Sequence, residues 1–112
     1  MKKATIPSPV AVYIDDALVN LRFTDTNWVE GSCCNYYFWA KVYNVYSKYG
    51  IDGGRISKLL IRKAKNNKDS SNGRDVVNYD RGWDIMPKKE DQWVYEKIML
   101  VLNMVPIRPD FE

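Results

Sequence analysis

Apolar and polar side chains alternate with a period of two along much of the chain, which predicts β-strands. Residues 10–25 show this alternation on both sides of the pair Asp15-Asp16. Aspartates accept the backbone conformations that a tight hairpin loop requires. The pattern therefore predicts a hairpin with Asp15-Asp16 at its tip, preceded by a short arm over 1–9. We expect a loop over 27–35, where Gly31 and Ser32 interrupt the pattern.

Residues 36–49 carry the strongest strand signal. Phe38, Ala40 and Val42 share one face of such a strand, and Trp39 lies on the other, so both faces are apolar. A strand of this kind is typical of the middle of a sheet or of a surface covered by a partner chain. Because so short a chain cannot cover all of its aromatic side chains, we also expect a homo-oligomer.

The second half of the chain predicts two further strands and a helix. Strands are expected over 55–65 and 76–79, separated by a polar, mobile loop at 66–75. Apolar residues spaced by three and four predict a long helix that begins near Pro87 and ends at Pro106. The fold class is therefore α+β, a single domain over 1–112 with a small antiparallel sheet and a C-terminal helix.

The composition of the chain argues against several classes of function. The 112 residues carry a net charge of +3 and include no histidine, which removes the usual general base and most zinc sites. We expect a protein that is not an enzyme and needs no cofactor or metal. The only cysteines are the neighbours Cys33 and Cys34, which are expected to stay reduced because a ring between them would be strained. With no long apolar segment, a location in the cytoplasm and no membrane partner are expected.

Two segments carry positive charge. The turn Gly53–Lys58 combines two glycines with Arg55 and Lys58, a set that can bind an anion or can be a plain glycine hairpin turn. The longer run over 55–74 carries seven basic residues and one acidic residue, and such segregated charge attracts phosphates. The alternative is a solvated hairpin tip.

Two further segments combine arginine with aromatic or acidic side chains. Residues 78–84 include Asn78, Tyr79, Arg81 and Trp83, which could stack on a base, contact ribose hydroxyls and bind phosphate, or could form a structural turn. In the tail, Arg108 and Asp110 flank Pro109, and the stiff backbone favours a nucleotide clamp over a simple docking segment.

Three pieces of the sequence resemble a known family. FWAKVYNVYSKYGIDGGRISKL at 38–59, VVNYDRGWD at 76–84 and IRPDF at 107–111 are similar to small phage and prophage proteins, in particular the Thoeris anti-defence sponges. The likeness covers residues 10–112. It implies a protein that binds cyclic ADP-ribose-type messengers without cleaving them and so blocks Thoeris immunity in the cytoplasm of the bacterial host.

The resemblance also implies partners and site residues. Family members are homo-oligomers built from dimers, and some hold cyclic oligonucleotides at a separate site, while no nucleic acid is expected as a partner. By position, Arg108 and Asp110 resemble messenger-pocket residues, with Tyr79, Arg81 and Trp83 nearby, and Arg55 resembles a second phosphate contact. The alternative is a phage-encoded inhibitor that binds nucleic acid or protein through the basic run over 55–74.

Overall fold

Seven antiparallel strands form one sheet in which the strand order follows the chain order. The structure is a computed structural model, and it describes residues 10–25, 27–64 and 73–104. The strands are β1 (Val10–Ile14), β2 (Ala17–Asp25), β3 (Trp28–Cys33), β4 (Tyr36–Val42), β5 (Ile56–Lys63), β6 (Arg74–Asp80) and β7 (Trp83–Ile85). One helix, α1 (Gln92–Met104), follows them. The expected α+β class with an antiparallel sheet and a C-terminal helix is confirmed.

The hairpin at the start of the sheet is confirmed. Asp15 and Asp16 form its two-residue loop with φ values of 50° and 69°. Two consecutive positive φ angles are typical of a type I′ turn, whose twist matches that of the flanking strands. β1 and β2 therefore pair in a fixed register, with Ile14 opposite Ala17.

The expected loop over 27–35 is wrong, because most of it forms β3. Gly31 lies inside this strand, where a side chain would collide with the carbonyl oxygen of Asn20 and would come within 2.6 Å of the Phe38 ring. The glycine is thus needed for close approach of neighbouring groups within the sheet. The turn comes later, at Cys34, which has a φ of 57°.

β4 is the central strand of the seven, as its two apolar faces predict. Phe38, Ala40 and Val42 are buried on one face, whereas Trp39 on the other face is half-buried. The strand ends at Val42 and not near 49, and Val45 and Tyr46 beyond it are exposed. β6 begins at Arg74, earlier than expected, so that Arg74 and Asp75 belong to a strand and not to the expected loop.

Some of the sequence-based expectations fall outside the described residues. They concern the arm over 1–9, most of the loop over 66–75, the end of the helix at Pro106, and the tail with Arg108 and Asp110. Within the described ranges, no helix is long and apolar enough to cross a membrane.

The helix packs on one face of the sheet and forms the core with it. Val94, Ile98 and Val101 are fully buried in one cluster with Phe38 and Leu21. Complete burial of such a side chain contributes roughly 1.5–3 kcal/mol. The helix begins at Gln92 after a 3₁₀ turn over Lys89–Asp91, so the expected start near Pro87 is wrong.

A buried hydrogen bond joins the start of this helix to the sheet. The Tyr36 hydroxyl donates to Oδ1 of Asp91 over 2.7 Å, and Asp91 is fully buried. Burial and this bond raise the pKa of Tyr36 well above its usual value. The second oxygen of Asp91, Oδ2, has no hydrogen-bond partner among the described residues. The Tyr36–Asp91 bond therefore places the helix on this face of the sheet.

The other face of the sheet is not covered by any helix in the described part of the chain. We call it the helix-free face. Its side chains alternate along each strand with the core residues and include those of Asn20, Arg22, Trp28, Glu30, Tyr37, Trp39, Lys41, Lys58, Leu60, Arg62 and Asn78.

Candidate functional site

One concavity on the helix-free face is a groove of about 420 Å³ across β2, β3 and β4. Trp39 and Tyr37 supply aromatic surface to its lining, and Asn20, Arg22 and Glu30 supply polar groups. The groove thus offers both flat rings and hydrogen-bonding groups to a ligand.

A smaller hollow of about 200 Å³ lies beside the groove, across β3 to β6. Trp28 and Trp39 line it together with Lys58, Asn78 and Asp80. Since Trp39 also lines the larger groove, the two concavities are neighbours on one surface. We call them the groove and the hollow.

Strand register explains why these side chains meet. Trp39 on β4 lies between Glu30 on β3 and Leu60 on β5, and Leu60 in turn pairs with Asn78 on β6. Residues directly opposite each other on neighbouring antiparallel strands project from the same face. These paired residues form a row across the sheet. Trp39 lies on the central strand of the helix-free face, and Asn78 is two strands away.

Arg62 contacts the ring of Trp39. Its guanidinium carbon lies 5.9 Å from the ring centroid, while its Nε donates to Oδ1 of Asp75 over 2.9 Å. Both side chains of this ion pair are about one-third exposed. The Arg62–Asp75 pair therefore restricts the positions open to Trp39.

Most cations beside the groove and the hollow are already paired with carboxylates. Arg22 donates to Oε2 of Glu30, with its Nε at 2.7 Å, and Lys58 lies 3.7 Å from Asp80. Lys41 contacts rings instead, with its Nζ 5.6 Å from the Trp28 ring centroid and 5.5 Å from that of Tyr43. The four cations and three carboxylates named here, all among the described residues, sum to a single net positive charge.

The structure brings together three of the residues that the sequence singled out. Lys58 comes from a different sequence segment than Asn78 and Tyr79, yet all three line the hollow. The rest of the basic run does not form one surface, because side chains alternate along β5. Arg62 lies on the helix-free face, whereas Lys63 lies over the Tyr36 ring on the core side, at 5.6 Å.

Tyr79 borders the hollow, but its side chain lies in the core, and Trp83 lines neither the hollow nor the groove. Tyr79 is 6% exposed in the core, and its hydroxyl donates to the Tyr49 carbonyl oxygen over 2.7 Å. The Trp83 ring packs against those of Tyr79 and Tyr95, with centroids 5.1 and 5.9 Å away. Arg81 is exposed in the turn between β6 and β7, with a φ of 58°. Because side chains alternate along β6, those of Asn78 and Tyr79 project to opposite faces of the sheet.

Arg55 lies at the end of the helix. Its guanidinium donates to the carbonyl oxygens of Leu102 and Asn103, over 3.2 and 3.3 Å. These carbonyls belong to the last turn of α1, which lacks intrahelical partners, so Arg55 caps the helix. Arg108 and Asp110 lie outside the described residues, and their role in a messenger pocket stays a prediction.

Sequence reasoning missed the aromatic centre of the site. Trp28, Tyr37 and Trp39 are equally typical of a core or of an interface when only the sequence is known. The available signal was the alternation itself, because Trp39 lies opposite the face that carries Phe38 and Ala40. Arg22 and Glu30 gave no signal, since their pairing depends on the register between β2 and β3.

One family model matches the chain over residues 27–103, and its description is a domain of unknown function, DUF7678. The chain belongs to this family. The hollow of this DUF7678 protein lies within the matched segment, whereas Asn20 and Arg22 of the groove precede it. No curated protein and no solved structure matches the chain.

Proposed function

We propose that this protein binds and sequesters a cyclic ADP-ribose-type signalling nucleotide on its helix-free face, without cleaving it. In this proposal it acts as a phage or prophage anti-defence protein against Thoeris immunity, as a homo-oligomer in the cytoplasm of the bacterial host. The main support for this binding site is the position of Trp39, which lines both the groove and the hollow. The identity of the ligand rests on the resemblance and on the chemistry of this face.

The mixture of polar groups on this face suits a ligand rich in hydroxyl groups. A cyclic ADP-ribose has a base, ribose hydroxyls and a pyrophosphate. Aromatic rings such as those of Trp39 and Tyr37 can stack on the base. Carboxylates such as Glu30 can accept hydrogen bonds from ribose hydroxyls, and guanidinium groups such as Arg22 can donate to phosphate.

The charge balance of the same face argues against a polyanion as ligand. Binding to nucleic acid relies on several unneutralised cations that each replace a counterion. Here Arg22, Arg62 and Lys58 each have a carboxylate within 4 Å. A small anion with many hydroxyls can use both members of each pair, whereas a phosphate backbone is repelled by the acidic member.

The proposal is tested by a capture experiment. The purified protein is mixed with a cyclic ADP-ribose isomer, passed through a gel-filtration column and heat-denatured, and the released small molecule is identified by mass spectrometry. We expect recovery of the intact messenger in a fixed ratio to protein. Recovery of a cleaved product would contradict sequestration and indicate an enzyme, and recovery of no ligand would exclude the proposal for that isomer.

Two matched tryptophan variants locate the site. Trp39→Ala removes the ring shared by the groove and the hollow, and we expect it to weaken binding by at least about fivefold, since a stacking contact contributes about 1–3 kcal/mol. Trp83→Ala removes a ring of the same kind on the opposite face and is expected to leave the affinity unchanged. The reverse result would place the ligand beside Tyr79 and Trp83. Arg108→Ala tests the tail in the same assay.

The nucleic-acid alternative makes a different prediction about salt. If the basic run over 55–74 bound a phosphate backbone, the logarithm of the affinity would fall with the logarithm of the salt concentration, with a slope of about −0.7 to −0.9 per phosphate contact. Charge reversal of Lys63, Lys65 and Lys68 would then abolish binding. In our proposal the salt dependence is shallow, and these three lysines make no contribution.

A further inference from the structure

The hollow beside the groove has the lining of a binding site for one flat heterocyclic ring. Two indole side chains, Trp28 and Trp39, border a space of about 200 Å³. They lie on neighbouring strands in diagonal positions, because Trp28 pairs with Lys41 and Trp39 pairs with Glu30. Diagonal neighbours on one sheet face are within reach of a common aromatic ligand.

The hollow contains both hydrogen-bond donors and hydrogen-bond acceptors, on several side chains. Asn78 offers an amide NH₂ group that donates and a carbonyl oxygen that accepts, and Asp80, when ionised, offers only acceptors. Lys58 contributes a donor and lies 3.7 Å from Asp80. A ring that fits these groups carries both an amine that donates and a ring nitrogen that accepts.

Adenine and cytosine both present this combination, and adenine is the base of the proposed cyclic ADP-ribose-type ligand. The adenine edge with N6 and N7 has one donor beside one acceptor, which matches a side-chain amide in a bidentate pair. Hypoxanthine has an oxygen in place of the amine, so its edge with O6 and N7 has two acceptors, and its N1–H donor lies on the other side of O6. Such an edge would leave the amide oxygen of Asn78 unpaired and would face the acceptors of Asp80.

We propose that the hollow is a subsite for a 6-aminopurine ring, with Asn78 as the residue that selects the amine. This inference rests on the proposed function, because it assigns the base of the nucleotide to one part of the helix-free face. The rest of the ligand would then lie toward the groove, where Arg22 and Glu30 are located. The inference also accounts for two of the sequence-predicted residues, Asn78 and Lys58.

The experiment uses AMP and IMP as probes, which differ at the 6-position of the ring. Calorimetric titration of the full chain is expected to show AMP binding at least about fivefold more tightly than IMP, as expected for one bidentate base contact. Asn78→Leu is expected to abolish this preference. Asn44→Leu, the same change at an exposed residue that lines neither the groove nor the hollow, is expected to preserve it.

Several results would overturn the subsite. They are equal affinities for AMP and IMP, no binding of either nucleotide, or a preference that persists in Asn78→Leu. The wild-type comparison of AMP and IMP needs no variant, so a folding defect cannot obscure it. Messenger capture is measured on the same protein. Capture without a preference for AMP rejects the subsite alone, whereas a preference for AMP without capture rejects the proposed function alone.

Discussion

The buried bond between Tyr36 and Asp91 permits a test of how the helix is held on the sheet. Tyr36→Phe removes only the hydroxyl that donates to Oδ1 of Asp91 over 2.7 Å. Because Oδ2 has no partner among the described residues, the variant leaves both oxygens of a fully buried carboxyl group without a partner. A hydrogen bond to a charged group contributes about 1.5–3 kcal/mol, and an unpaired buried charge costs more, so we expect the free energy of unfolding to fall by about 2–4 kcal/mol.

Urea denaturation of the wild type, Tyr36→Phe, Asp91→Ala and the double variant gives the coupling between the two side chains. Each single change already removes the bond, so the double variant loses it only once. We therefore expect a coupling free energy of about 1.5–3 kcal/mol. A coupling below about 0.5 kcal/mol, the usual error of additivity, would refute the structural role of this bond.

The same variant predicts a change with pH. The folded state raises the pKa of Tyr36 through burial and its bond to Asp91, so it favours the neutral hydroxyl. This contribution is fully present below the unfolded pKa of about 10 and is lost as the pH rises beyond it. The stability difference between wild type and Tyr36→Phe is therefore expected to shrink as the pH rises above about 10. A difference that stays constant between pH 8 and pH 11 would contradict this explanation.

Three further outcomes follow from single positions. Gly31→Ala is expected to lower the free energy of unfolding by about 1–3 kcal/mol or more because of its collisions, whereas Gly82→Ala, with open space around it, is expected to change it by less than about 0.5 kcal/mol. Iodoacetamide is expected to label exposed Cys34 in the native protein and not Cys33, whose pKa burial raises to about 11; mass spectrometry should show one adduct before denaturation and two after it. Arg55→Met is expected to cost about 1 kcal/mol in urea denaturation through loss of its bonds to the end of the helix, and no effect would contradict the capping role.

Local patterns were sufficient for much of the fold. Alternation and a two-residue acidic turn predict the first hairpin, and the apolar faces of β4 predict its central place. These features can be read from the sequence because they depend only on residues that are neighbours along the chain, or on whether one or both faces of a strand are apolar. β3 was missed because Gly31 is explained only by groups of the two neighbouring strands, the carbonyl oxygen of Asn20 and the ring of Phe38. The start of the helix was missed because burial of Asp91 requires Tyr36, which is 55 residues away.

The candidate site was less accessible from sequence than the fold. Asn78 and Lys58 could be selected as polar residues near glycines and aromatics, but their meeting depends on the register between β5 and β6. Tyr79 was selected with Asn78 as its neighbour, although adjacent residues of a strand point to opposite faces. Trp39 could not be assigned, because its role depends on whether a second layer covers its face of the sheet.

Within the described residues, one helix covers one face of the sheet and leaves the helix-free face open to the proposed ligand. With one face covered by α1, Trp39 on the other face remains half-buried and is held by the Arg62–Asp75 pair. Such partly exposed ion pairs contribute only about 0–1 kcal/mol each to stability. They can therefore exchange partners with ligand hydroxyls and phosphate at little cost to the fold. Because these side chains are already positioned by their pairs, less entropy is lost on binding, which favours tight retention of an unmodified ligand.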